Sequence, residues 1–306
     1  VADTVFPSLE PARQALGDID FEIHLAAEST PEAILEVARE ADALTFTYAR
    51  TNRDIISGME RCRVIGRFGV GTDNIDIDAA TRAGIMVTYA PVYCLDEVSD
   101  HTLALLLALA RKIPYAHALV NDGRWEMSAV VPINRLKGRI LGLVGFGSIA
   151  QGVVPKAHAF GIKTIAADPY VSDEVFTKLD VERVDFDQLL ERADFISIHT
   201  PLTEDTKNLF GQKAFKQMKP EALLINTARG PLVDIDAIVG LGASFGPIAI
   251  NRAYCNWQYF GRYRDVLLQS AVELIQLFPP GASAKNGADI KLCLDATEDI
   301  SRFGHI

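Results

Sequence analysis

Six consecutive residues near the middle of the chain carry the clearest chemistry. Gly145-Phe146-Gly147-Ser148-Ile149-Ala150 has the form G-x-G-x-x-A. Gly145 permits a tight strand-to-helix turn, Gly147 lets backbone approach a pyrophosphate, and Ala150 lets the helix pack against its strand. Ser148 and Ile149 open that helix, whose unpaired N–H groups face the anion. An acid, Asp168, follows about 20 residues on, where a ribose hydroxyl is read. A carboxylate there repels a 2′-phosphate, so NAD is expected over NADP. The competing reading is an ordinary strand–turn–helix unit with a capping acid. The motif follows an apolar strand, opens a helix and meets its acid after the next strand, which together favour the dinucleotide.

The surrounding pattern supplies the elements that must hold these residues. Arg139–Val144 reads as a strand, Ser148–Phe160 as a helix capped by Gly161, and Lys163–Ala167 as the next strand. Helices at Asp187–Ala193 and Gln212–Met218 alternate with strands at Phe195–His199 and Ala222–Ala228. That alternation predicts a doubly wound parallel sheet. Ahead of it, a helix at Pro31–Glu40, strands at Ala43–Tyr48, Val64–Arg67 and Ile85–Thr88, and a helix opening at Asp78–Arg82 predict a smaller parallel α/β domain. Between the two lies Glu97–Ile113, apolar over most of its surface and expected to be a long buried helix ended by Pro114. Residues 121–134 read as a loop. The expected domains are 1–92, 93–240 and a C-terminal segment, 241–306.

Bulk properties narrow the class. The 306 residues are 49% apolar and 23% charged, with a net charge of -10. Such a chain is globular, and its acidity argues against nucleic acid or an anionic membrane as a main partner. Four cysteines, Cys62, Cys94, Cys255 and Cys293, are far apart with no CxxC pair, so neither a zinc site nor a disulfide framework is expected, and no metal. This pattern, with no secretory signal at the opening, predicts a cytoplasmic location. The apolar run near residues 102–110 is too short to span a bilayer.

Five ordered blocks resemble the D-isomer-specific 2-hydroxyacid dehydrogenases: RFGVGTDNID (67–76), DEVSDHTLALLLALARK (96–112), the fingerprint with Asp168-Pro169-Tyr170, HTPLTEDTKNLFG (199–211) and MKPEALLINTARGPLVD (218–234). The first three look like the branch that includes the C-terminal-binding-protein corepressors. The resemblance implies an α/β fold, a Rossmann domain with a smaller flavodoxin-like substrate domain, and NAD as cofactor. It implies that backbone at Val70 and Gly71 holds the carboxylate of a small 2-hydroxy or 2-oxo acid. Arg229 would bind that carboxylate and the reacting oxygen, a task suited to a permanently charged, bidentate guanidinium. Thr200, Pro201, Thr206, Thr227 and Ala228 would line the cofactor. A homodimer through residues 97–134 is also implied.

The family further requires a Glu in a D-V-F-x-x-E-P stretch and a His in a T-P-H stretch, the general acid/base. Neither stretch is present, and the family pattern stops after about residue 238. Of His24, His101, His117, His158, His199 and His305, His199 lies nearest the cofactor by pattern, but the resemblance gives that position no catalytic role. The expected function is therefore an NAD-dependent oxidoreductase with impaired turnover. A non-catalytic, NAD-responsive corepressor-like module is the alternative.

Residues 243–306 resemble a fragment of the NYN, PIN-like nuclease domains, through FGPIAINRAYCNW (245–257), YRDVLLQSAVELIQLF (263–278) and KNGADIKLCLDATEDI (285–300). Asp289 and Asp295 match two acids of that family, but two acids six residues apart do not make a metal site, and ribonuclease activity is the least supported reading. Each partner is cut mid-domain near Gly240, which suggests a chimeric junction. A strand at Leu274–Phe278 and a helix at Ala288–Phe303 are expected, docking on the edge of the Rossmann sheet.

Overall fold

The computed structural model describes residues 1–238, together with the backbone strands at 252–255 and 273–276. Residues 1–238 divide after Tyr93 into two compact units.

The first unit is a three-stranded parallel sheet, β1 (Ala43–Phe46), β2 (Val64–Arg67) and β3 (Met86–Tyr89), in the order β1-β2-β3. Helix α1 (Glu10–Leu16) carries no buried residue, whereas α2 (Pro31–Ala38), α3 (Arg53–Gly58) and α4 (Ile77–Arg82) each bury one face. The last three start where side chains satisfy the orphan N–H groups of a first turn: Thr30 accepts from Ala33, Asn52 from Ile55 and Asp76 from Ala79. Ile34, Leu44, Phe46, Ile55, Ile56 and Ile65 form the core, each at most 1% exposed. The three strands, α2 and α4 fall within two residues of the sequence expectations, whereas α1 and α3 were not expected.

The second unit begins with α5 (Leu95–Ala110), α6 (Ile113–Asn121) and the single turn α7 (Met127–Val130). The long helix expected over residues 97–113 is thus broken. Lys112 adopts a left-handed conformation (φ 51°), and Pro114 sits in the first turn of α6 instead of ending α5. Proline is tolerated there because first-turn N–H groups have no helical partner. Nor is α5 buried all round: Ser99, Thr102, Leu103 and Leu106 are buried, while Leu109 is exposed. The expected loop at residues 121–134 contains α7.

Alternation then proceeds through β4 (Ile140–Val144), α8 (Ser148–Ala159), β5 (Lys163–Ala167), α9 (Asp173–Lys178), β6 (Glu182–Arg183), α10 (Phe186–Arg192), β7 (Phe195–Ile198), α11 (Gln212–Gln217) and β8 (Leu223–Asn226). All pairs are parallel, in the order β6-β5-β4-β7-β8. The chain reverses its direction of sheet growth between β4 and β7, and such a switch point is where open α/β sheets bind ligands. β6, only two residues long and exposed, carries no apolar run and was not expected from sequence.

The sheet separates two apolar layers. Leu141 and Leu143 point to one side with Leu106, Val153 and Phe176. Val144, Ile196 and Ile198 point to the other with Leu189, Leu190 and Phe210. Gly142 matters for the second layer, since a Cβ there would lie 2.6 Å from Leu189 Cδ2. α10 is started by a reciprocal capping box between Asp185 and Gln188. The remaining strands, β9 (Arg252–Cys255) and β10 (Glu273–Gln276), pair with each other in a separate two-stranded sheet. They do not extend the five-stranded one, contrary to the expected edge docking. The expected helix at Ala288–Phe303 lies outside the described residues.

Asp194 ties the N-terminal edge of the sheet together. Its carboxylate accepts from Ile140 N (2.9 Å), Arg139 Nη1 (3.0 Å) and Lys219 Nζ (3.0 Å). Burial by itself raises its pKa. The Ile140 N–H and the Lys219 and Arg139 cations outweigh that and hold it below the ordinary aspartate value. Asp194→Asn is expected to cost about 1–3 kcal/mol at neutral pH. Because the folded-state pKa is depressed, this stability is present above the unfolded aspartate pKa, about 3.9, and is lost as pH falls through the folded value. Urea unfolding should therefore separate parent and variant at pH 7 and bring them together in acid.

Candidate functional site

Four loops gather at the C-terminal ends of β4, β5, β7 and β8. The β4 loop is the glycine turn. Gly145 has φ +84°, and a Cβ there would lie 2.8 Å from Thr200 Oγ1 and 2.9 Å from His199 C and Thr200 N. Both the conformation and the close approach of the β7 loop require glycine. Gly147, by contrast, opens onto empty space: an added Cβ meets nothing within 4 Å. It caps α8 without a side-chain bond. Among the described residues, the N–H groups of Gly147, Ser148 and Ile149 find no protein acceptor. Three free donors, the positive end of a 12-residue helix and a gap where a side chain would be make an anion cradle. Ala150 is fully buried against the sheet.

Asp168, at the end of β5, accepts from Phe146 N at 2.8 Å, Tyr170 N at 2.8 Å and Val171 N at 3.1 Å. It thereby clamps the glycine turn as well as its own loop. Oδ1 takes the Tyr170 and Val171 N–H groups and is saturated, whereas Oδ2 takes only the Phe146 N–H and has room for a further donor such as a ribose hydroxyl. Gln151 supports the same turn, donating to Phe146 O at 2.9 Å. Sequence reading passed over Gln151, because a polar residue in the first turn of a helix carries no special signal.

On the β7 loop, Thr200 Oγ1 donates to Val144 O (3.0 Å), joining the loop to β4 across the switch point. Thr206 Oγ1 donates to Pro201 O (2.7 Å) and accepts from Thr203 N (2.8 Å), so its hydroxyl staples the loop. His199 Nε2 lies 2.9 Å from Ser197 Oγ, and burial lowers the imidazole pKa to about 4. It is neutral near pH 7 and poorly matched to general acid/base work there.

On the β8 loop, Thr227 Oγ1 lies 3.1 Å from Thr102 Oγ1 of α5. Asn226 bridges the next two residues, accepting from Ala228 N (3.0 Å) and donating to Arg229 O (2.9 Å). An asparagine folding back onto its own loop is a known turn device, and this was the available signal for a residue sequence reading missed. Arg229 follows in extended backbone (φ −144°, ψ 135°), with Nη1 donating to Ala228 O at 2.9 Å.

In the first unit, Val70 and Gly71 follow β2. Among the described residues, their N–H groups donate to no protein acceptor, which suits capture of a carboxylate. Two further residues, missed in the sequence, hold the neighbouring loop after β1. Asp3 accepts from the N–H groups of Thr47, Tyr48 and Ala49 (2.8–3.1 Å), and Asn74 donates to Ala49 O (3.0 Å). The remaining described histidines are engaged elsewhere: His24 with Glu22, His117 with Asn121 and His158 with Thr164, while His101 is exposed on α5. Among the described residues no cluster of His, Cys, Asp and Glu could hold a metal, and no single helix is long and apolar enough to cross a membrane.

Residues 103–242 match the profile of the D-isomer specific 2-hydroxyacid dehydrogenase NAD binding domain. That domain is the part of the chain that carries the likeness to the D-isomer-specific 2-hydroxyacid dehydrogenases. NAD is the cofactor of that domain. A D-3-phosphoglycerate dehydrogenase of Methanocaldococcus jannaschii is 41% identical over 234 residues, 76% of this chain and 44% of that one. A glyoxylate reductase of Thermococcus litoralis is 42% identical over 213 residues, 67% of this chain and 64% of that one. The chain thus spans less than two thirds of the length of either curated relative. A D-lactate dehydrogenase structure from Aquifex aeolicus, complexed with NAD and lactic acid, shares the fold with TM-score 0.75 at 22% identity, covering 98% of this chain and 94% of that one.

Residues 205–305 also match the NYN domain, a wider stretch than the 243–306 expected from sequence. The two matches overlap over residues 205–242. Within that overlap, α11 and β8 follow the dehydrogenase topology, with β8 pairing in parallel with β7. Asp289 and Asp295 lie outside the described residues.

Proposed function

We propose that the chain is an NAD-dependent oxidoreductase acting on a small 2-hydroxy or 2-oxo acid, with slow turnover. The observation that carries this is the anion cradle at the start of α8 beside the Asp168 carboxylate, at the switch point of a parallel sheet. The pyrophosphate would rest on Gly147, Ser148 and Ile149. Asp168 would accept from the adenosine ribose, Thr200, Pro201, Thr227 and Ala228 would line the nicotinamide side, and Thr206 would also belong to the cofactor site. When bound, the cofactor supplies a hydride to C2 of the 2-oxo acid. The free N–H groups of Val70 and Gly71 would hold the substrate carboxylate, and Arg229 would orient that carboxylate and the reacting oxygen. Residues 1–92 would serve as the substrate domain and 93–240 as the cofactor domain.

The proton that the substrate oxygen must gain has no evident donor among these residues. That favours a second reading, a corepressor-like module that binds NAD without turning it over. Either form would dimerise through residues 97–134, where Leu109, Trp125 and Met127 are exposed, and act in the cytoplasm. A junction near Gly240 between dehydrogenase-like and NYN-like sequence would be of chimeric origin.

Titration of the full chain with NADH and NADPH, followed by nicotinamide fluorescence, tests the cofactor reading. NADH is expected to saturate at lower concentration than NADPH, and Asp168→Ser to narrow the difference. Equal binding of the two by the parent would overturn the role given to Asp168. NAD-dependent dimerisation with no turnover would select the regulatory reading.

A further inference from the structure

Thr102 is fully buried on α5, yet its hydroxyl reaches the loop that carries Arg229. Its Oγ1 donates to Val98 O at 2.9 Å and lies 3.1 Å from Thr227 Oγ1. A threonine hydroxyl has one proton. With the Thr102 proton directed to Val98, the hydrogen of the hydroxyl pair must come from Thr227. The proton of Thr227 then points towards α5, and its free lone pair points away.

We propose that Thr102 is a positioning residue that fixes Thr227 as a hydrogen-bond acceptor for the carboxamide N–H₂ of the nicotinamide. This rests on the placement of Thr227 beside the nicotinamide given above and goes beyond it by assigning the donor and acceptor of the contact. Without the Thr102 hydroxyl, Thr227 becomes a free rotor that presents its proton outward as readily as its lone pair. A donor facing an amide N–H₂ forfeits one hydrogen bond.

The test titrates the full chain and its Thr102→Val and Thr102→Ser variants with NADH and with ADP-ribose, which lacks the nicotinamide. Thr102→Val, of nearly the same shape, is expected to weaken NADH about fivefold, the worth of one hydrogen bond, and to leave ADP-ribose unchanged. Thr102→Ser, which keeps the hydroxyl, restores NADH binding. Equal losses for NADH and ADP-ribose, or no loss for either, would overturn the proposal. A measurement on the unsubstituted chain stands beside these. Nicotinic acid adenine dinucleotide, with a carboxylate in place of the carboxamide, should bind more weakly than NAD, because it meets an acceptor. Equal affinity for the two also overturns the assignment. If the parent binds neither NADH nor ADP-ribose, the cofactor reading itself falls. If it binds both and Thr102→Val changes nothing, only the role of Thr102 does.

Discussion

With saturating NADH and glyoxylate, hydroxypyruvate or pyruvate, the chain is expected to turn over about 10²–10⁴-fold more slowly than a family member that keeps its acid/base histidine. That range is the usual worth of general acid/base help. The stretches that carry the family's Glu and His are missing from the sequence after residue 238. The described histidine nearest the cofactor loops, His199, is held neutral near pH 7 by burial, with a pKa of about 4. It is therefore almost never an imidazolium at working pH, and as a base it is weak. The cradle at Gly147, Ser148 and Ile149 and the Asp168 carboxylate, proposed to hold the cofactor, do not depend on the missing stretches, so NADH affinity should persist while the rate falls. Stopped-flow oxidation of NADH, set against equilibrium titration of the same sample, separates the two. A rate in the ordinary range for the family would defeat the prediction and point to a proton donor outside the described residues.

Gly145→Ala should be the most damaging single substitution in the fingerprint. The backbone at φ +84° costs a residue with a Cβ roughly 1–2 kcal/mol. The new methyl would lie 2.8–2.9 Å from Thr200 and His199, two of the three close atoms being backbone. Forcing such an overlap costs about 1–3 kcal/mol more. The expected loss is about 2–5 kcal/mol, with a fall in melting temperature of roughly 5–15 °C, and NADH binding is lost as the turn shifts. Gly147→Ala makes the contrast. Its φ of −71° suits any residue and its Cβ meets nothing, so stability should stay within about 0.5 kcal/mol. NADH binding should nevertheless weaken, because the methyl occupies the space over the free N–H groups. Equal effects of the two alanines on melting would show that the close packing at Gly145 is relieved at little cost.

These two glycines show how far the chain could be read in one dimension. The motif marked both, and its spacing to Asp168 named the ligand class. β2 and β5 lie at the residues expected because β-branched and apolar runs bounded by turns leave few alternatives. What the motif could not show is that one glycine is demanded by a neighbouring loop and the other by empty space. Gly145 and Thr200 are 55 positions apart, and only sheet pairing between β4 and β7 brings them together. The same limit hid the break between α5 and α6. Pro114 was read as a stop signal, but proline both follows one helix and starts the next, and the left-handed Lys112 between them has no sequence signature.

The sequence by itself determined the cofactor class and the parallel α/β architecture, since these follow from short-range spacing and periodicity that survive without a fold, and five sequence blocks carried the resemblance to a family. It also shows no D-V-F-x-x-E-P and no T-P-H stretch within these 306 residues. The tertiary structure alone decided which polar atoms are spent and which are free. Asp168 clamps Phe146, His199 is buried neutral against Ser197, Thr206 staples its own loop, and among the described residues the N–H groups of Gly147, Ser148, Ile149, Val70 and Gly71 have no acceptor. Whether a hydrogen-bonding group serves the fold or a ligand depends on which partner lies within about 3 Å. Here some of those partners are near in the chain, as for Thr206 and His199, and others, such as Phe146 for Asp168, are brought in from another loop.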